Sequence, residues 1–189
     1  IYNEGVTVFE VSNDELKEIY LCVSARALAE LMREHCDHPP AAISHFTCYN
    51  RSTTAERVQD ITDALALLQE HSEKRPVNLV GVGSAGPLCL LARTQTSFVA
   101  RTVIDANQFD YRADTDLPAD QILPGIVRLG GLRAVGCLAA PGRLLIHNTS
   151  DGLDTSWIDD AYKLEGAAKA LAVSRPAASN DQIVAAVAE

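Results

Sequence analysis

The chain has 189 residues, of which 47% are hydrophobic and 22% charged, the profile of one globular domain with a real core. Lys and Arg number 16 against 25 Asp and Glu, a formal charge of -9 that repels phosphate backbones and argues against a nucleic-acid partner. No apolar run approaches the roughly 20 residues that cross a bilayer, so no membrane partner is expected either.

Short β-rich runs alternate with helical patterns. Residues 5–11 (Gly-Val-Thr-Val-Phe-Glu-Val) alternate as a strand does. Asn13-Asp14-Glu15 then predicts a helix reaching about His35, with Leu16, Ile19, Tyr20, Val23, Ala27, Leu28 and Leu31 at helical spacing. Pro39 and Pro40 stop it, and residues 42–49 are the next expected strand. Thr53-x-x-Glu56 reads as a capping box. It opens a helix with Val58, Ile61, Leu65 and Leu68 on one face, closed before Pro76. Residues 77–82 are a short apolar run of the kind found in strands covered on both faces. Residues 83–92 turn into a helix, 102–106 form a strand, and 123–140 read as helical apart from a break at Gly130-Gly131. A fifth strand is expected at 143–147, then an amphipathic helix over 155–171 and a short last one over 181–188. Such alternation implies right-handed crossovers and a mainly parallel sheet with helices on both faces, one α/β domain over residues 1–189. Periodicity does not encode the strand order.

The five cysteines, Cys22, Cys36, Cys48, Cys89 and Cys137, are odd in number, widely spaced and without a CxxC pair. That pattern supports neither a zinc site nor a disulfide framework, and each sits in an apolar stretch as a small hydrophobe. Ile1 in place of Met, with no basic-then-apolar leader, predicts a piece of a longer protein.

The most informative stretch is Val77-Asn78-Leu79-Val80-Gly81-Val82-Gly83-Ser84-Ala85-Gly86-Pro87, a strand running through a glycine turn into a helix. Two site types use such a turn. Gly81, Gly83 and Gly86 satisfy the G-x-G-x-x-G dinucleotide pattern, with Asp105 closing the next strand to accept ribose hydroxyls of NAD, FAD or a related cofactor. The other is the nucleophile elbow G-x-S-x-G, in which a strained turn lifts a serine above the sheet. Counted from Gly81, the nucleophile position is Gly83, which has no side chain. Ser84 stands one place late and serves only if the turn slips by one residue. A plainer alternative is that the glycines allow close strand–helix packing and Ser84 caps the helix.

An ordered set of motifs surrounds this turn. Tyr49-Asn50-Arg51 and Glu56-Arg57-Val58-Gln59-Asp60 precede it. Val103-Ile104-Asp105-Ala106-Asn107-Gln108-Phe109, Leu123-Pro124-Gly125, Gly130-Gly131-Leu132 and Ala139-Ala140-Pro141-Gly142 follow. With these, residues 45–170 resemble the C-terminal part of acetylxylan-esterase-like α/β-hydrolases, predicted carbohydrate esterases of bacteria. The resemblance implies a three-layer α/β/α hydrolase fold, carboxylic-ester hydrolysis, and a carbohydrate-ester or polysaccharide substrate; no cofactor or metal is assigned. In that fold the acid follows a later strand and the histidine the last one. Asp151 matches the usual acid location, Asp105 and Asp110 are the option one strand earlier, and His147 is the histidine nearest that rim. Ser84, Asp151 and His147 are therefore the candidate catalytic set.

The chain departs from the family pattern at two points. Gly83 lacks a hydroxyl, and no histidine follows His147; His35, His38, His45 and His71 lie outside any expected base position. Acyl transfer by Ser-His-Asp thus lacks a complete cast, although elbow amides can still form an anion-binding pocket. Three functions follow: an ester hydrolase whose triad is displaced or completed by another segment, a non-catalytic hydrolase-fold structural or binding module in a larger assembly, and a dinucleotide-binding domain. Five expected strands fall short of a full hydrolase sheet, so further chain segments or a second copy are expected to cover its first edge.

Overall fold

The computed structural model describes residues 51–110 and 121–188 and, as backbone, the strands at 6–9 and 19–24. Six strands form one sheet in chain order. β1 (Val6–Phe9) is antiparallel to β2 (Ile19–Ser24). β3 (Val77–Val82), β4 (Val99–Asp105), β5 (Arg143–His147) and β6 (Leu171–Val173) follow, and every neighbouring pair from β2 onward is parallel. The alternation of strand and helix has produced an α/β fold with a mainly parallel sheet.

Six α-helices connect and follow these strands among the described residues: α1 (Thr53–His71), α2 (Gly86–Arg93), α3 (Ile126–Leu129), α4 (Gly131–Cys137), α5 (Ser156–Leu164) and α6 (Asn180–Ala188). The α1 cap is Ser52, one residue before the expected Thr53. Ser52 takes an extended backbone and its hydroxyl accepts the Ala55 amide at 3.2 Å, which leaves Thr53 as the first helical residue. Val58, Ile61 and Leu65 are buried along α1 and Leu68 packs beside them, as their spacing predicts. The α3–α4 break falls at Gly130, whose φ is +107°.

Two expected helices need correction. Residues 19–24, read as part of a helix, form β2. Ile-Tyr-Leu-Cys-Val-Ser is a continuous apolar run rich in strand-forming residues, and its spacing fits either period. Six registered pairs with β3, from Ile19 opposite Val77 to Ser24 opposite Val82, make it a strand. The remainder of that expected helix and the strand expected at 42–49 lie outside the described residues. The helix expected over 155–171 ends instead at Leu164. The Gly166 amide bonds the Lys163 carbonyl and the Ala167 amide the Tyr162 carbonyl, a Schellman ending on a glycine at φ +69°. Leu171 then begins β6, which was not foreseen and pairs with Leu144 of β5.

Strand alternation divides the side chains into two clusters. On one face α1, α2, α4 and α5 enclose Leu65, Leu79, Ile104, Leu144, Ile158 and Tyr162, all essentially solvent-free. On the other, Val80, Val103 and Leu145 meet Ile183, Ala186 and Val187 of α6. Ser179 opens α6 with a true capping box: its hydroxyl accepts the Gln182 amide, and the Gln182 side chain accepts the Ser179 amide at 2.8 Å.

Candidate functional site

Parallel strands bring their carboxyl ends to one rim, where ligands of open α/β sheets bind. Here the ends of β3, β4 and β5 carry the glycine turn, Asp105 and His147. The turn is a 3-10 segment, Gly83–Ala85, and Gly83 stands at its tip with φ +59°. That left-handed conformation belongs to glycine and is strained for other residues. A Cβ built on Gly83 meets no atom within 4 Å, so the position is open yet bears no side chain. Gly86 serves a different purpose: a Cβ there would collide with the Asp105 carbonyl oxygen, so its absence lets α2 lie against the end of β4.

Asp105 organises the rim. Its Oδ2 accepts the Gly83 amide at 3.1 Å, and its Oδ1 accepts the Asn107 amide at 2.7 Å and the Asn148 side-chain amide at 2.8 Å. Gln108 extends the network, donating its side-chain amide to the Asn148 Oδ1 at 2.9 Å. Asn107, Gln108 and Asn148 all adopt positive φ, between 50° and 59°. Each such non-glycine residue costs on the order of 1 kcal/mol, and the hydrogen bonds of this network hold them in place. The β4–β5 register, with Asp105 opposite His147, sets this arrangement.

The candidate catalytic residues occupy this rim without joining one another. Ser84 is half-buried in the 3-10 turn; α2 has no side-chain cap, so Ser84 does not cap it. His147 is only 3% exposed, its Nδ1 accepts the Ala178 amide at 3.2 Å, and its Nε2 has no partner. Burial pushes its pKa below the usual histidine value, with the Asp105 charge acting in the opposite direction. Asp151 is exposed in the loop after β5 and pairs with Arg175 at 3.6 Å. No described hydrogen bond or ion pair links Ser84, His147 and Asp151.

The segments that follow β4 and β5 also line a cleft of about 310 Å³, within the size range of small-ligand sites. Asp110, from beyond β4, lines it together with Val127, Gly130 and Arg133 of the α3–α4 region and Gly152, Leu153 and Asp154 from the β5–α5 loop. The Arg133 guanidinium lies 4.1 Å from the centre of the Trp157 ring, donates its Nε–H to the Gly130 carbonyl at 3.2 Å, and reaches Asp154 at 3.5 Å. Hydrogen bonds from Ser156, and then the Arg133 charge, hold the Asp154 carboxyl below the ordinary carboxylate range. The cleft thus presents the Arg133 cation paired with Asp154, with the Asp110 carboxylate also in its lining and Trp157 backing the guanidinium.

Asn148, Arg133 and Trp157 were not singled out from sequence. Asn148 had a local signal, an asparagine directly after a strand, where positive φ is tolerated. Arg133 and Trp157 had none, because their contact spans two helices. Among the described residues, no group of three or more His, Cys, Asp and Glu side chains is placed to hold a metal. No helix in the described part is long and apolar enough to cross a membrane. Comparison with protein families, with curated proteins and with solved structures gives no match for this chain.

Proposed function

We propose that this chain is an α/β-hydrolase-fold module of the acetylxylan-esterase-like kind that binds a small polar ligand at its rim and does not itself cleave esters. The observation that supports this reading is Gly83: the position where an elbow would carry its nucleophile turns through φ +59° and bears no side chain. Two others support it. Both ring nitrogens of His147 are withdrawn, one occupied by Ala178 and the other buried, so no imidazole base is presented to a reacting group. The carboxylate of Asp105 is committed to three donors. That commitment also weighs against a dinucleotide at Gly81, Gly83 and Gly86, because Asp105 already holds the Gly83 amide needed for a pyrophosphate. The cleft beside Arg133 supplies the room for a ligand.

Hydrolysis of p-nitrophenyl acetate tests the proposal on the wild type, Ser84→Ala and His147→Ala. The expected result is no turnover above buffer for all three. Clear turnover that Ser84→Ala abolishes would overturn it, and would mean that the turn operates one residue out of register.

A further inference from the structure

We infer that His147 is an acid-sensitive latch: its neutral imidazole holds the start of the C-terminal segment against β5, and protonation releases residues 178–188 from the sheet. The bond from the Ala178 amide requires a lone pair on Nδ1, so the hydrogen of the neutral ring sits on Nε2. Protonation adds a second hydrogen at Nδ1, directly facing the Ala178 N–H. Two donors then oppose each other around a buried charge, an arrangement that cannot persist without movement.

The segment to be moved is lightly held. Ala178 immediately precedes Ser179, the residue that caps α6, so the latch fixes the entry of that helix. Val187 is the one fully buried residue of α6. Upstream, Ser174 donates its amide to Ile146 at 2.8 Å and Pro176 accepts the Asn148 amide at 3.2 Å; neither bond titrates, so residues 174–176 stay attached as the hinge.

The charged groups around the ring do not rescue its charged form. Asp105 of β4 favours it, but that carboxylate already accepts three donors. Arg101, on the same face of β4, and Arg143, at the start of β5, stand opposite each other four residues along the strands from the Asp105–His147 pair. β6 carries no charge, Arg175 of the connecting segment is paired with Asp151, and the described part of α6 has only the exposed Asp181. With the folded pKa depressed, attachment is complete above the ordinary value of 6.5 and is lost as pH falls through the folded value.

Amide hydrogen exchange of the intact chain, corrected for the intrinsic pH dependence of exchange, provides the test at about pH 7.5 and about pH 5. Amides of 178–188 are expected to lose protection by about ten- to thirtyfold at the lower pH, a ceiling set by a released imidazole. Those of α1 should stay protected. His147→Asn keeps a non-titrating acceptor near the Nδ1 position and should change by less than about twofold. Unchanged wild-type protection overturns the latch. So does an equal loss in α1, which would signal global acid unfolding, or a wild-type-sized loss in His147→Asn. The comparison of 178–188 with α1 in the wild type stands even if the variant does not fold.

Discussion

On one face of the sheet α1, α2, α4 and α5 bury a continuous cluster in which Leu65, Ile158 and Tyr162 have no solvent contact; on the other, the described cover is α6, touching Val80, Val103 and Leu145 through Ile183, Ala186 and Val187. Both faces belong to the same strands, so the difference lies in how much apolar surface each cover removes from water. Among the described residues, the first face buries the larger apolar cluster. Of the described covers, α6 is the one expected to open first, because local stability follows the density of buried contacts. The rim inherits both properties: Gly83 and Asp105 are fixed by α2 and the β3–β5 network, whereas His147 is fixed by the segment leading to α6.

Substitutions can break or sharpen this contrast. Leu65→Ala should have the largest effect, lowering stability by about 2–5 kcal/mol, read as a lower urea midpoint. Gly86→Ala tests the tightest contact on the same face. The new methyl must displace the Asp105 carbonyl, so a loss of about 1–3 kcal/mol is expected in thermal unfolding. On the other face, Val187→Ala should cost only about 1 kcal/mol and appear in the exchange of α6 amides, not in the global midpoint. Equal global losses for Leu65→Ala and Val187→Ala would abolish the distinction between the faces.

The smallest effect concerns a hydrogen bond. Tyr162 donates its hydroxyl to the Gly142 carbonyl at 2.7 Å, and Tyr162→Phe is expected to cost about 1 kcal/mol near neutral pH. Burial pushes the Tyr162 pKa up to about 12 from an ordinary 10.0, only partly offset by Arg93. Below the ordinary value both folded and unfolded chains hold the proton. Above it the unfolded chain releases the proton first, so stability should fall as pH rises from 10.0 to about 12. Unfolding midpoints measured across that window should fall less steeply in Tyr162→Phe.

Local chemistry by itself determined the elements whose ends carry their own punctuation. Pro76 and Gly83 bracket β3, Pro141-Gly142 precedes β5, and Gly130-Gly131 interrupts the helical stretch; the strands predicted at 77–82 and 143–147 have those bounds in the structure. The glycine turn was legible for the same reason, since Gly83 directly after an apolar run permits the positive φ that a sharp turn needs. Tertiary structure decided everything that depended on a distant partner. Residues 19–24 became β2 because β3 offered six registered backbone pairs, which apolar spacing could not foretell. Leu171–Val173 became β6 because β5 had a free edge beside it, and the chain had already left α5 at Gly166. At the rim, the pairing of β3, β4 and β5 tied Asp105 to the Gly83 amide and to Asn148, while Asp151 stayed in solvent beside Arg175. The physical reason is the same in each case: a turn or a cap is settled within a few residues, whereas pairing, burial and the meeting of groups 22 or 43 positions apart are settled only when the sheet assembles.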